Sequence, residues 1–269
     1  MDRTPKAFCA RPIATKLLPT DTGWKCMMMS RTHLKLGHVI LDADDTLWRT
    51  QDMYDEAKTA FAKLLGQNGF VSNNVVDTLD EIDAKRVATH GFSVSRFKES
   101  LVITYEMLCE REGLPNDSKV VSSIESIGDS VTKNPALYED VNEGIRVLSR
   151  HYSLVLATKG DTSLQNARLD SSGLRPWFFR IYNLQSKTER EYREIIRDLA
   201  ITPEKTWVVG NSVRSDINPA SRLGLRSVLI PRGSWIYEDE RLEQGQVITV
   251  HSFKEAVNAI LAADHLHGD

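Results

Sequence analysis

An apolar run that breaks off into carboxylates is where this chain could do chemistry: His38-Val-Ile-Leu-Asp42-Ala-Asp44-Asp45-Thr46-Leu47-Trp48. Val39, Ile40 and Leu41 are too few and too β-branched for a helix of their own, and read as a short buried strand. Ionised carboxylates cannot follow it into the core without partners. Side chains at i and i+2 of an extended chain point the same way, so Asp42 and Asp44 are expected to converge on one point. Like charges brought together need a cation or a shared proton to relieve them. Oxygen-only ligands suit magnesium. The plainer alternative is that Asp44-Asp45-Thr46 caps a following helix.

An ionised aspartate can also attack phosphorus, giving an acyl-phosphate that water then cleaves. Asp42 is placed for that role. Asp44 would protonate the leaving alkoxide and later take a proton from the attacking water. Such chemistry needs phosphate ligands and fixed positive charge, so the elements that would carry them matter.

From residue 135 onward helices and strands alternate. Helices are expected over 141–151, 163–172, 188–199 and 216–223, and strands over 153–157, 180–183, 206–209 and 226–230. Alternation of this kind argues for a parallel sheet covered by helices on both faces, with ligands beyond the carboxyl ends of the strands. Those ends collect Asp42, Asp44 and Thr46; then Thr158, Lys159, Gly160 and Asp161; then Gly210-Asn211 through Asp216. Lys187 stands just before the helix of 188–199. Thr158 and nearby backbone N–H groups can grip phosphate oxygens, and Lys187 supplies positive charge. Singly, each has a bland reading: a turn, a surface lysine, a helix cap.

Between Trp48 and residue 135 the apolar spacing is helical. Four amphipathic helices are expected, through Phe61, Leu79, Leu101 and Ile124, with Gly, Asn and Pro at their joints. Arg49, Arg86, His90 and Arg96 are the charged candidates there for touching a ligand, and Trp48 for lining a pocket. Residues 1–36 lack sustained periodicity and are expected to be poorly ordered. Their excess of basic residues leaves organelle targeting open, and Met27-Met28-Met29 offers another start for translation.

The whole chain has 269 residues and a net charge of -3, ordinary for a globular protein and no footprint for nucleic acid or a membrane surface. Three cysteines, Cys9, Cys26 and Cys109, have no paired spacing, so neither a disulfide framework nor a zinc site is expected and a reducing, cytoplasmic setting is.

In order, Asp42-Ala-Asp44-Asp45-Thr46-Leu47, Thr158, Lys187 and Gly210-Asn211 through Asp216 resemble the four motifs of the haloacid dehalogenase-like hydrolases, over about residues 37–235. The resemblance implies a Rossmann-like α/β core over 37–51 and 135–269, and a small all-helical cap over 52–134 inserted after the first strand. It also implies Mg2+ dependence and an aspartyl-phosphate intermediate. Carried over, Asp42 is the nucleophile, Asp44 the acid/base, Thr158 with Lys159 the phosphate ligands and Lys187 the charge neutraliser. The metal falls to Asp42, the backbone carbonyl of Asp44, Asn211 and Asp216. Asn211 departs from the pattern, which usually has Gly-Asp; its amide oxygen brings no charge and weakens metal binding.

The expected function is a magnesium-dependent phosphatase acting on a small phosphorylated metabolite, as a monomer or homodimer. Halo-acid dehalogenase, phosphonatase or phosphomutase chemistry on the same core are the enzymatic alternatives. Asp44 speaks against the first, since halide leaves without a proton. A catalytically weak binding protein is the alternative that Asn211 favours.

Overall fold

The computed structural model describes residues 35–265 except 72–73, 92, 233–239, 244 and 246. The expectations for the N-terminal segment, Met27–Met29 included, therefore lie almost wholly outside the described residues. Among those described, six strands form one sheet: β1 (Gly37–Leu41), β2 (Tyr152–Lys159), β3 (Phe178–Leu184), β4 (Thr206–Gly210), β5 (Arg226–Leu229) and β6 (Val247–Thr249). Every pairing is parallel, in the order β3-β2-β1-β4-β5-β6. This Rossmann-like order reverses between β1 and β4, where such sheets open a ligand crevice at the strands' carboxyl ends.

The two-residue period of β1 splits its side chains between two cores. Val39 and Leu41 face α5 (Val141–His151) and α9 (Phe253–His265), packing with Ile145, Leu148, Phe253 and Val257. Ile40 faces the other way, onto Tyr192 and Ile195 of α7 (Glu189–Leu199) and Ala220 of α8 (Asn218–Ser221). All three are fully buried, contributing about 2 kcal/mol each by removal from water. A strand apolar on both faces needs this three-layer setting.

Four helices intervene between β1 and α5: α1 (Thr50–Gln67), α2 (Val75–His90), α3 (Val94–Glu112) and α4 (Ser118–Ser130). They share their own core, built on Phe61, Leu65, Leu79, Leu101, Tyr105 and Ile124. The chain enters and leaves them along adjacent connectors: Arg49 N donates to Ala136 O (2.9 Å) and Tyr138 N to Leu47 O (3.1 Å).

Two elements differ from the sequence expectations in ways that matter. β2 runs on through Thr158 and Lys159, because both continue the ladder opposite Asn183 and Leu184 of β3. The helix expected over 216–223 begins earlier, as a π-helical turn over Val213–Ile217, followed by the short α8. The wider turn carries Asp216 back over the end of β4. The elements β6 and α9 follow the last one read from the sequence. Among the described residues, no helix is long and apolar enough to cross a membrane.

The start of α7 positions a site residue. Thr188 is its N-cap, its hydroxyl oxygen accepting from Arg190 N (3.3 Å), while its own N–H donates to Glu191 Oε2 (2.9 Å). This reciprocal capping box fixes where Lys187, one residue earlier, enters the core. Burial alone would raise the Glu191 carboxyl, but hydrogen bonds from Thr188 and Arg190 outweigh it and hold it down to about 2, from an ordinary 4.5. A depressed carboxyl stabilises the fold above its unfolded value and loses that contribution as pH falls through its folded one. Glu191→Gln should therefore lower stability at pH 7 by about 1 kcal/mol, with the gap to the parent closing between pH 4.5 and pH 2. Denaturant titration across that range measures it.

Candidate active site

Asp42 sits directly beyond β1, its N–H extending the ladder to Val209 O (3.0 Å). Its carboxylate is 7% exposed and is met by the Lys187 ammonium on Oδ1. The same ammonium donates to Asp216 Oδ1 at 2.6 Å, so one buried lysine bridges two buried carboxylates. Burial works to lower the Lys187 ammonium, but Asp216 and Asp42 beside it carry it upward, and it stays charged. Burial pushes the Asp42 carboxyl up, to about 7, against the pull of Lys187 and with Asp216 adding to the rise. Asp42 Oδ2 is buried with no partner among the described residues.

Asp216 needs Gly210 to reach this position. A Cβ at Gly210 would lie 2.3 Å from Asp216 Cγ and Oδ2, so only glycine admits the carboxylate. Asp216 Oδ2 also accepts from Ser212 N (3.1 Å), which closes the turn beneath it. Asn211 sits at the same strand end, its Oδ1 accepting weakly from Thr46 Oγ1 at 3.5 Å.

Thr158 is 1% exposed and its hydroxyl is a second buried group with no partner among the described residues. Lys159 donates to Ser215 Oγ (3.2 Å), with its ammonium lowered by burial and by the neighbouring Lys187. Asp42, Thr158, Lys159, Lys187, Asn211 and Asp216 all line one cleft of about 900 Å³. The opposite wall is helical, with Tyr54, Ala84, Val87, Ala88 and Arg96.

Asp44 lines this cleft too. The strand stops at Leu41, and Asp45 takes a left-handed φ of 59° that turns the chain. Trp48 Nε1 and Thr50 Oγ1 each donate to Asp44 Oδ1 at 2.7 Å, Arg168 donates to it at 3.0 Å, and Gln165 Nε2 donates to Oδ2 at 2.7 Å. Asp45 turns away to accept from Gln51 N (2.7 Å), and burial raises its carboxyl to about 7. The three adjacent carboxylates still feel one another: Asp44 adds to the rise of both Asp42 and Asp45.

Of the charged residues singled out on the helices, Arg96 lines the cleft, held by an ion pair to Asp83, which Ser100 also meets at 2.7 Å. Arg86 pairs with Glu99, Arg49 lies beside Asp52 and over the Tyr138 ring, and His90 meets Thr89. Trp48 is core, 1% exposed, with its indole N–H on Asp44. Gln165 and Arg168 were missed by the sequence reading. They lie one turn apart on α6 (Thr162–Ser171), which follows β2, and that i, i+3 placement after the Thr158 strand end was the available signal.

Among the described residues, no three His, Cys, Asp or Glu side chains cluster as a metal site. The oxygen donors at the strand ends nonetheless suit magnesium, which takes one or two carboxylates and fills the rest with neutral oxygens. Asp42 and Asp216 are the carboxylates, and Asn211 offers a neutral oxygen.

A family model of haloacid dehalogenase-like hydrolases matches residues 36–224. The pyrimidine 5'-nucleotidase PynA of Streptococcus pneumoniae is 32% identical over 88 residues, 30% of this chain and 37% of that protein. The chain thus matches little more than a third of this relative. The glyceraldehyde 3-phosphate phosphatase of Methanopyrus kandleri is 22% identical over 73% of this chain and 84% of its own length. A haloacid dehalogenase-like hydrolase structure from Xanthomonas campestris superposes with a TM-score of 0.72 at 24% identity, covering 88% of this chain and 96% of that one. The L-2-haloacid dehalogenase of Xanthobacter autotrophicus shares the fold at a TM-score of 0.59 and 16% identity, over 84% and 98% of the two chains. With a family model over more than half its length and the motifs gathered at one sheet edge, this chain belongs to the haloacid dehalogenase-like hydrolases.

Proposed function

We propose that this hydrolase is a magnesium-dependent phosphatase, releasing phosphate from a small phosphomonoester through an aspartyl-phosphate. The observation that carries the reading is the pair of buried, unpartnered oxygens in one cleft, Asp42 Oδ2 and Thr158 Oγ1, with the ammoniums of Lys187 and Lys159 lining the same space. A nucleophile with a free oxygen, a free hydroxyl and two cations are what a phosphate dianion needs.

Asp42 Oδ2 attacks phosphorus, the ester P–O bond breaks, and the departing oxygen takes a proton from Asp44. Water then attacks the phosphorus of the acyl-phosphate, Asp44 takes back a proton, and Asp42 leaves as carboxylate with inorganic phosphate released. Thr158 and Lys159 hold phosphate oxygens, and Lys187 neutralises charge while keeping Asp42 in place. Asp42, the Asp44 carbonyl, Asp216 and Asn211 would hold magnesium, which when bound supplies the charge that lets an anion approach an anion. The four helices, residues 52–134, serve as a cap that closes over the substrate and excludes water. The phosphatase names of two relatives make nucleoside monophosphates and triose phosphates the first natural esters to screen.

Release of phosphate from 4-nitrophenyl phosphate tests the reading. Turnover should require magnesium and fall to background in chelator; turnover in chelator would overturn the metal assignment, and none with any metal would favour a binding protein. Asp42→Asn, purified free of deamidated enzyme, should lose at least about 10³-fold in kcat. Gly210→Ala should cost about 10²-fold while remaining folded by circular dichroism, because it displaces the Asp216 carboxylate rather than the sheet. Asn211→Asp should lower the magnesium concentration giving half-maximal rate, by adding a charged ligand.

A further inference from the structure

Arg168 is a buried cation that the mechanism above does not use. It is 3% exposed, and its neighbour one turn away on α6, Gln165, is 4% exposed. Burial of such groups is expensive unless they are bonded. Two prongs of the guanidinium are: NH1 donates to Asp44 Oδ1 at 3.0 Å, and NH2 to the backbone carbonyl of Val131 at 2.8 Å. Val131 is the C-cap of α4, the residue at which the chain leaves the helical insertion. A single side chain thus joins Asp44 to the exit of the insertion. The other donors to Asp44 Oδ1, Trp48 and Thr50, sit where the chain enters it. Gln165, also on α6, holds the other oxygen of Asp44, its Nε2 reaching Lys159 O as well at 3.2 Å.

This clamp leaves Arg168 Nε and Gln165 Oε1 buried without partners among the described residues, a state costing about 1–3 kcal/mol per group. Spare capacity of that kind fits a network with a second arrangement. We infer that Arg168 is a positioning residue that couples the aim of Asp44 to the place of the helical insertion. Movement of the insertion shifts the Val131 carbonyl and the Trp48–Thr50 connector together, and the guanidinium carries that shift to the carboxyl that protonates the leaving oxygen. The inference rests on the phosphatase reading, in which Asp44 is the acid.

The leaving group separates a positioning role from a structural one. 4-Nitrophenolate departs without a proton, whereas an alkoxide needs one, so misaiming Asp44 should lower kcat/KM, which reports the steps up to departure of the alcohol, only for alkyl esters; the later hydrolysis of the acyl-phosphate is common to both. Arg168→Gln should reduce kcat/KM on a simple alkyl phosphate by about tenfold or more, leave kcat/KM on 4-nitrophenyl phosphate nearly unchanged, and add no loss in an Asp44→Asn background. Equal loss of kcat/KM on both esters, or losses that multiply in the double variant, would overturn it. Should Arg168→Gln prove unfolded by its melting curve, Arg168→Lys keeps the charge but not the fork. That variant should sit between parent and Gln on the alkyl ester, and full parental activity would sink the tie to Val131. A parent that hydrolyses neither ester overturns the phosphatase reading itself, a failure visible before any Arg168 variant is made.

Discussion

The site depends on one ammonium between two carboxylates. Asp42 ends β1 and Asp216 returns over the end of β4, so the point where the sheet order reverses gathers two negative charges in a space almost closed to water. Unrelieved, that arrangement would neutralise itself by taking up protons, which is the direction burial drives Asp42. Lys187 opposes that drift, bonding Oδ1 of each. Removing one partner of such a buried group costs about 3–5 kcal/mol, because the remaining charge is stranded. The surrounding backbone is arranged for this bridge: Gly210 makes room for Asp216, and the Thr188–Glu191 box fixes the root of Lys187.

With Oδ1 of Asp42 occupied, only Oδ2 remains for chemistry, and it is the one left without a partner. The bridge therefore orients as well as stabilises. Thr158, carried by the prolonged end of β2, supplies an unpartnered hydroxyl to the same cleft. The sheet thus holds the groups proposed to meet phosphate. The carboxyl assigned to proton transfer is held instead by residues of α6 and of the connector into the helical insertion. The groups proposed to meet phosphate and the group proposed to move the proton are thus held by different elements.

Much of this was legible in the chain. The apolar triplet before Asp42 and the alternating segments after residue 135 marked a parallel sheet, and strand ends then grouped Asp42, Thr158, Lys187, Asn211 and Asp216 without any contact being known. The partners of Asp44 were not legible, because the turn that brings Trp48 and Thr50 back to it takes a left-handed backbone at Asp45, a conformation that residue type alone does not dictate. Nor were Gln165 and Arg168, whose polar side chains on a helix read as solvent-facing until the packing of α6 against β2 and β3 buries them. The π-helical turn ahead of α8 escaped for a similar reason: it answers the tertiary demand that Asp216 reach Lys187, not local propensity.

Charge counting gives Asn211 a rationale that its departure from the family pattern conceals. At the strand ends Asp42 and Asp216 stand against Lys187 and Lys159, and beside them Asp44 stands against Arg168, three groups of each sign. Asp45 is left out of this count because it turns toward Gln51 N. A neutral amide at position 211 keeps that balance, so a divalent cation and a phosphomonoester dianion enter as a matched pair and leave the sum unchanged. A carboxylate there would hold the metal more tightly but leave one uncompensated negative charge facing the incoming dianion, in a cleft where screening by water is weak. On the proposed phosphatase reading, asparagine would exchange metal affinity for a lower barrier to anion entry. That exchange would suit a site whose second ammonium, Lys159, could offset part of the dianion's charge.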